Sequence, residues 1–109
     1  MAKIRFISLD GLLEMQANRE KFKLVEALPG ESYRKGHIPG AINIPVDELG
    51  RVAGKNLKKT DTIVVYCANY VCHASTMAAE KLQKMGYKKV LDFKGGKKSW
   101  VDAGLELKK

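Results

Sequence analysis

An α/β domain is what this sequence predicts, with a central, mostly parallel sheet of about five strands and helices on both faces. Three observations lead there. Short apolar, β-branched runs alternate with stretches of helical spacing. The connections between them are short. The strongest run, Thr62 to Tyr66, is apolar on both faces, as central parallel strands are. No linker, repeat or composition shift divides the chain, so residues 1–109 read as one domain with one modest core.

The elements follow in order. Ile4 to Ile7 is a short strand. Ser8 is placed to cap a helix from Leu9 to about Ala17, with Leu9, Leu12, Leu13 and Gln16 at helical spacing. Phe22 to Glu26 reads as a strand and Pro29-Gly30 as a turn. Ser32 to Lys35 has room for one helical turn. Two glycines and a proline make Gly36 to Gly40 a tight loop. Ala41 to Ile44 is a strand stopped by Pro45. Val46 to Arg51 is a short helix, with Asp47 and Glu48 at its positive end. After Thr62 to Tyr66 comes the best helix, about His73 to Met85. Its stripe is Ala74, Met77, Ala78, Leu82 and Met85, and Gly86 is its C-cap. Lys89 to Phe93 is the last strand. Gly95-Gly96 turns the chain into a final helix, Lys97 to Ala103, with Trp100 facing inward.

Composition bounds the function. The chain has 109 residues, two cysteines and a net charge of +8. No apolar run approaches the roughly 20 residues that span a bilayer. The first residues lack the apolar stretch and cleavage site of a secretory leader. A cytoplasmic protein without a membrane partner is therefore expected. In a reducing compartment two thiols do not staple a fold, so their chemistry matters more. The charge is uneven: residues 1–54 hold 8 basic and 7 acidic groups, and residues 55–109 hold 12 lysines and 5 acids. Such an excess either attracts small anions or simply solvates a surface. The lysines are not interleaved with aromatics, which argues against a nucleic-acid partner.

Most of the information lies between Asp61 and Gly86. Cys67 ends the apolar run, and a helix begins a few residues later. A thiol at a strand end and a helix mouth faces backbone N–H groups and the positive end of a dipole. That setting favours a thiolate and makes Cys67 the candidate nucleophile. The expected Cys67 pKa is thus below that of a free cysteine, with burial opposing.

Five pieces in order resemble the rhodanese-like (thiosulfate sulfurtransferase) family. They are Gly36-His37-Ile38-Pro39-Gly40-Ala41-Ile42-Asn43-Ile44-Pro45, Ile63-Val64-Val65-Tyr66-Cys67, Ser75-x-x-Ala78-Ala79, Gly86-Tyr87-x-x-Val90 and Gly95-Gly96-x-x-x-Trp100. The resemblance covers about Ile7 to Leu107. It implies a single-domain sulfurtransferase whose Cys67 carries a sulfane sulfur as a covalent persulfide, with no other cofactor. It also implies that the loop Ala68, Asn69, Tyr70, Val71, Cys72, His73, Ala74, Ser75 cradles that anion with backbone N–H groups. A small anionic sulfur donor and a thiol or protein sulfur acceptor follow from the resemblance, and a monomer is expected. Three features depart from the family pattern. Glu26 and Leu28 stand where an Asp-x-Arg pair is common. Seven residues, not five, separate Cys67 from Ser75. The arginine that usually closes the loop is absent, and Cys72 and His73 stand there. This extended Cys-x4-Cys loop resembles a bacterial single-domain branch.

Other residues are open to two readings. Cys72 either resolves a persulfide on Cys67, through a reversible disulfide, or is a spectator. His73 either supports a sulfur anion or is an exposed first-turn residue. Tyr70 either shapes the pocket or is merely exposed. His37 is expected to bond backbone within its turn. Gly95-Gly96 is expected to let the chain approach the Cys67 loop. A zinc site from Cys67, Cys72, His73 and His37 is not expected, because only one thiol cluster exists. Two rival functions remain beside sulfur transfer. One is a redox-sensing or partner-docking module. The other, a cysteine phosphatase or arsenate reductase, needs an arginine fork, and no arginine follows Arg51.

Overall fold

Five strands lie side by side and all run parallel in the computed structural model, which describes residues 3–109. They are β1 (Arg5–Phe6), β2 (Lys23–Glu26), β3 (Ile42–Asn43), β4 (Thr62–Tyr66) and β5 (Lys89–Phe93), in the order β1-β5-β4-β2-β3. The helices are α1 (Leu9–Ala17), α2 (Gly30–Lys35), α3 (Leu49–Asn56), α4 (Ala74–Lys84) and α5 (Gly96–Asp102). A 3-10 turn, Val46–Glu48, leads into α3. The sheet is therefore wholly rather than mostly parallel.

Period-two alternation assigns the strand side chains to two cores. Val25, Ile63, Val65 and Val90 point to one face, where Leu49 and Ala53 of α3 and Ala78, Ala79 and Leu82 of α4 cover them. Leu24, Val64, Tyr66 and Phe93 point to the other, against Leu12 and Met15 of α1 and Trp100 of α5. Ile63, Val64 and Val65 are fully buried. Each such side chain contributes about 1.5–3 kcal/mol on burial. The edge strands shrink to two residues each, because a strand paired on one side alone has half the ladder to hold it.

Several elements differ from the sequence reading. The helix expected over Val46 to Arg51 starts as a 3-10 turn and runs on to Asn56. Gly50 and Gly54 both face open space, and α3 passes through them. Leu49 and Ala53 fix that helix by burial. On α1, Met15 rather than Gln16 completes the buried face. On α4 the buried face is Ser75, Ala78, Ala79 and Leu82, while Met77 is exposed. The spacing was right and the phase was shifted, because a polar residue, Ser75, occupies one of the buried positions.

Register places the site. Glu26, Tyr66 and Phe93 form one row across β2, β4 and β5 at the carboxyl ends of the strands. The segment after β2 leads to α2, and the segment after β4 leads to α4 on the opposite face. The chain reverses direction across the sheet between these two strands, which is where parallel α/β sheets form their crevices. Cys67 is the next residue.

Candidate active site

Cys67 is fully buried at the end of β4. Its loop is closed from behind by α5. Lys97 N donates to the Cys67 carbonyl at 3.0 Å, and Lys98 N donates to the Ala68 carbonyl at 2.9 Å. This approach requires Gly96, whose φ is +60°. A Cβ there would lie 2.2 Å from the Cys67 carbonyl oxygen. The glycine turn thus does what its sequence implied.

Beneath the loop lies a charge network that spans the chain. Glu26 is fully buried. Tyr66 donates its hydroxyl to Glu26 Oε1 at 2.8 Å, and Ile38 N donates to the Tyr66 oxygen at 3.0 Å. Lys97 Nζ stands 3.0 Å from Glu26 Oε2 and donates to the Ser32 carbonyl at 2.8 Å. Burial, then the Glu26 charge, pushes the Tyr66 phenol far above its ordinary value, so it remains a donor. The cation missing at Leu28 is supplied instead by Lys97. Leu28, Ser32, Lys97 and Ala68 line a shallow, mainly apolar cavity of about 280 Å³ beside the loop.

The loop's tip is held locally. The side-chain oxygen of Asn69 accepts from Val71 N and Cys72 N, both at 3.1 Å, and the Asn69 carbonyl accepts from Cys72 N at 3.2 Å. This Asx-type turn folds the tip back and brings Cys72 to Cys67. Tyr70 and Val71 project into solvent at 68% and 79% exposure.

The electrostatics reverse one expectation. Burial pushes the Cys67 thiol up, and its hydrogen bond with Cys72 adds to the rise. Its sulfur lies 3.5 Å from the Cys72 carbonyl oxygen and 4.0 Å from that of Asn69. Carbonyls disfavour an anion there. Ser75 works the other way: its hydroxyl is 3.5 Å from the Cys67 sulfur, and its N–H also favours the thiolate. For Cys72, burial pushes up, but the Cys67 hydrogen bond, the Ala68 and Ala74 N–H groups and the Lys94 charge together hold it below an ordinary thiol. Lys94 Nζ also donates to the Cys72 carbonyl. The expected lowering of Cys67 is thus wrong, because full burial and the neighbouring sulfur outweigh the helix mouth. The N–H groups expected to face Cys67 are divided, with those of Ala68 and Ala74 serving Cys72. Of the coupled pair, Cys72 ionises first.

The remaining sequence candidates separate cleanly. Both cysteines are free thiols. His73 is exposed and caps α4 without a side-chain bond, so it fits the exposed reading. His37 stacks on Tyr33 at 3.8 Å, with Nδ1 3.0 Å from the Tyr33 carbonyl oxygen, as a local structural role requires. Trp100 is buried and donates to the Glu106 carbonyl at 2.9 Å. Lys94 and Lys97 went unnoticed in the sequence, and Asn69 was counted among the loop residues without its turn-forming role. Only Asn69 carried a local signal, as a turn-forming residue beside the nucleophile.

Comparisons with known proteins agree with this geometry. The family model for the rhodanese-like domain matches residues 8–103. YrkF of Bacillus subtilis is 32% identical over 98 residues, which are 87% of this chain and 50% of YrkF. The chain thus spans half the length of that relative. The thiosulfate sulfurtransferase GlpE of Shewanella oneidensis is 27% identical over 103 residues, covering 94% of this chain and 98% of GlpE. Among solved structures, the BH2092 protein of Bacillus halodurans superposes with a TM-score of 0.86 at 28% identity, over 95% of this chain and 76% of that one. Since the matched residues take in nearly the whole sheet, its helices and the cysteine loop, this chain belongs to the rhodanese-like domain family.

Proposed function

We propose that this domain is a sulfurtransferase, passing a sulfane sulfur through a persulfide on Cys67 to a thiol or another nucleophilic acceptor. The observation that carries the reading is a buried thiol at the strand-end crevice, 3.5 Å from both the Ser75 hydroxyl and the Cys72 carbonyl, beside a second thiol held below its ordinary value. The Cys72 thiolate accepts the Cys67 proton. The Cys67 thiolate attacks the outer sulfur of a small anionic donor such as thiosulfate, and sulfite leaves with the bonding electron pair. Ser75 N–H and hydroxyl face the sulfur that reacts. The GlpE relative, itself named a thiosulfate sulfurtransferase, supports the donor class.

Turnover of thiosulfate with cyanide tests this. Wild type is expected to produce thiocyanate, and Cys67→Ser to fall at least roughly 10³-fold, as removal of a covalent nucleophile does. Retention of turnover in Cys67→Ser would overturn the assignment. The coupled thiols also favour redox sensing as a second reading. Its signature is a thiol count that follows oxidant without any sulfur donor. A phosphatase or arsenate reductase is disfavoured, because the side chain beside Cys72 is a lysine, Lys94, which lacks a planar two-pronged donor.

A further inference from the structure

The transfer step above leaves its sulfur on Cys67, directly beside a second thiol. The loop is shaped around that contact. Asn69 turns the tip back with three hydrogen bonds, two of them to Cys72 N and one to Val71 N. The Cys72 carbonyl lies 3.5 Å from the Cys67 sulfur, and the neighbouring thiols shift each other's acidity in opposite directions. The Ala68 and Ala74 N–H groups favour the thiolate of Cys72 rather than that of Cys67. An anionic persulfide on Cys67 would therefore meet the carbonyl oxygens of Asn69 and Cys72 with Ser75 as its main support. A site so arranged favours discharge over storage.

We propose that Cys72 resolves the Cys67 persulfide, releasing hydrosulfide and leaving a Cys67–Cys72 disulfide that a dithiol, or two equivalents of a small thiol, then reduces. This rests on the persulfide reading and adds to it a product and a co-substrate class. The step balances. The Cys72 sulfur attacks the inner sulfur of the persulfide, and a bond forms between the two cysteine sulfurs. The bond to the outer sulfur breaks, and that sulfur leaves with the electron pair. The proton that Cys72 took from Cys67 goes with it, giving HS⁻. The outer sulfur is reduced to sulfide and the Cys72 sulfur is oxidised, while the Cys67 sulfur, already at the disulfide level in the persulfide, is unchanged. The reductant reverses that oxidation and becomes a disulfide itself. A ring closed over so few residues is strained and readily reduced, which suits a bond made and broken in every cycle.

The test uses the full chain under anaerobic conditions, so that oxygen cannot make the disulfide. Wild type, Cys72→Ser and Cys67→Ser are each mixed with thiosulfate, and in a second series with a small organic persulfide, without added reductant. Acid-quenched intact mass and released sulfide are read together. Wild type is expected to lose two hydrogens and to release sulfide. Cys72→Ser is expected to gain one sulfur and to release at least roughly 10-fold less sulfide. Adding a dithiol should return oxidised wild type to its two-thiol mass and start further turnover. The proposal is overturned if wild type holds the added sulfur as stably as Cys72→Ser, or if Cys72→Ser releases sulfide at the wild-type rate. In both of those outcomes the persulfide reading stands. If neither wild type nor Cys72→Ser takes up sulfur or releases sulfide with either probe, the persulfide reading itself falls and this inference with it.

Discussion

The base and the tip of the Cys67–Ser75 loop are built by different means. At the base, partners come from remote parts of the chain. Lys97 and Lys98 amides bind the Cys67 and Ala68 carbonyls, and the buried Glu26 joins Tyr66 to Lys97. At the tip, Asn69 binds the two residues that follow Tyr70, while Tyr70 and Val71 stay exposed. Both regions bear on the same pair of sulfurs. Long-range contacts therefore fix where Cys67 sits, and a local turn sets how Cys72 meets it. Substitutions should separate accordingly, with the base affecting stability and the tip affecting chemistry.

The largest effect should come from the base. Lys97→Met leaves the Glu26 carboxylate buried without its cation. Breaking such a pair costs about 3–5 kcal/mol, to be read by chemical denaturation. A loss below about 1 kcal/mol would show that Tyr66 alone satisfies Glu26 and that the base is less interlocked than described.

Gly96→Ala comes next. The added Cβ meets the Cys67 carbonyl, and the positive φ suits no larger residue. Strain and overpacking together should cost about 2–5 kcal/mol. Gly54→Ala sets the scale at an uncrowded helical site and should stabilise by about 0.5–1 kcal/mol. Equal effects of the two would erase the distinction drawn for Gly96.

The pH profile of alkylation examines the two thiols directly. Cys72 is held below an ordinary thiol and Cys67 above one, so Cys72 should react first through neutral pH. Cys67 should follow only as pH climbs past the ~8.5 of a free cysteine. In Cys72→Ser the midpoint for Cys67 should move down, since one cause of its rise is gone while burial remains. Mass mapping of the labelled peptides decides the order, and Cys67 reacting first would reverse the assignment.

The smallest stability change belongs to the tip. Asn69→Ala removes exposed side-chain bonds and should cost about 1 kcal/mol or less by thermal melting. Its effect should appear in thiol coupling instead, as a slower Cys67–Cys72 disulfide under oxidant. A large loss of stability with unchanged coupling would place Asn69 in the base rather than the tip.

What was legible in the sequence follows the same division. β4 was read to the residue because a central parallel strand is buried on both faces and shows it in composition. Cys67 followed from the end of that strand. The Gly95-Gly96 turn was read correctly, since close backbone approach leaves glycine as its mark. The Glu26–Lys97 pair was not legible, because nothing in either neighbourhood announces a partner that distant. The sign of the Cys67 shift was missed for a related reason. Strand-end position predicts a helix mouth, but the depth of burial and the direction of each N–H depend on how the loop closes. Ser75 did carry a signal: a polar residue in phase with Ala78, Ala79 and Leu82 marks where the helix meets something other than core.

The dependence of the Cys67 carbonyl on amides from α5 also orders events in time. During synthesis Cys67 leaves the ribosome well ahead of Gly96. Until the Gly95-Gly96 turn is made, that carbonyl lacks its donor, Glu26 lacks its cation, and nothing holds the loop's base against β4. The pairing of the two sulfurs is thus among the last features of the domain to be completed. A nascent chain carries ordinary cysteines, and their unequal acidity arises only when the loop closes and buries Cys67 beside Cys72.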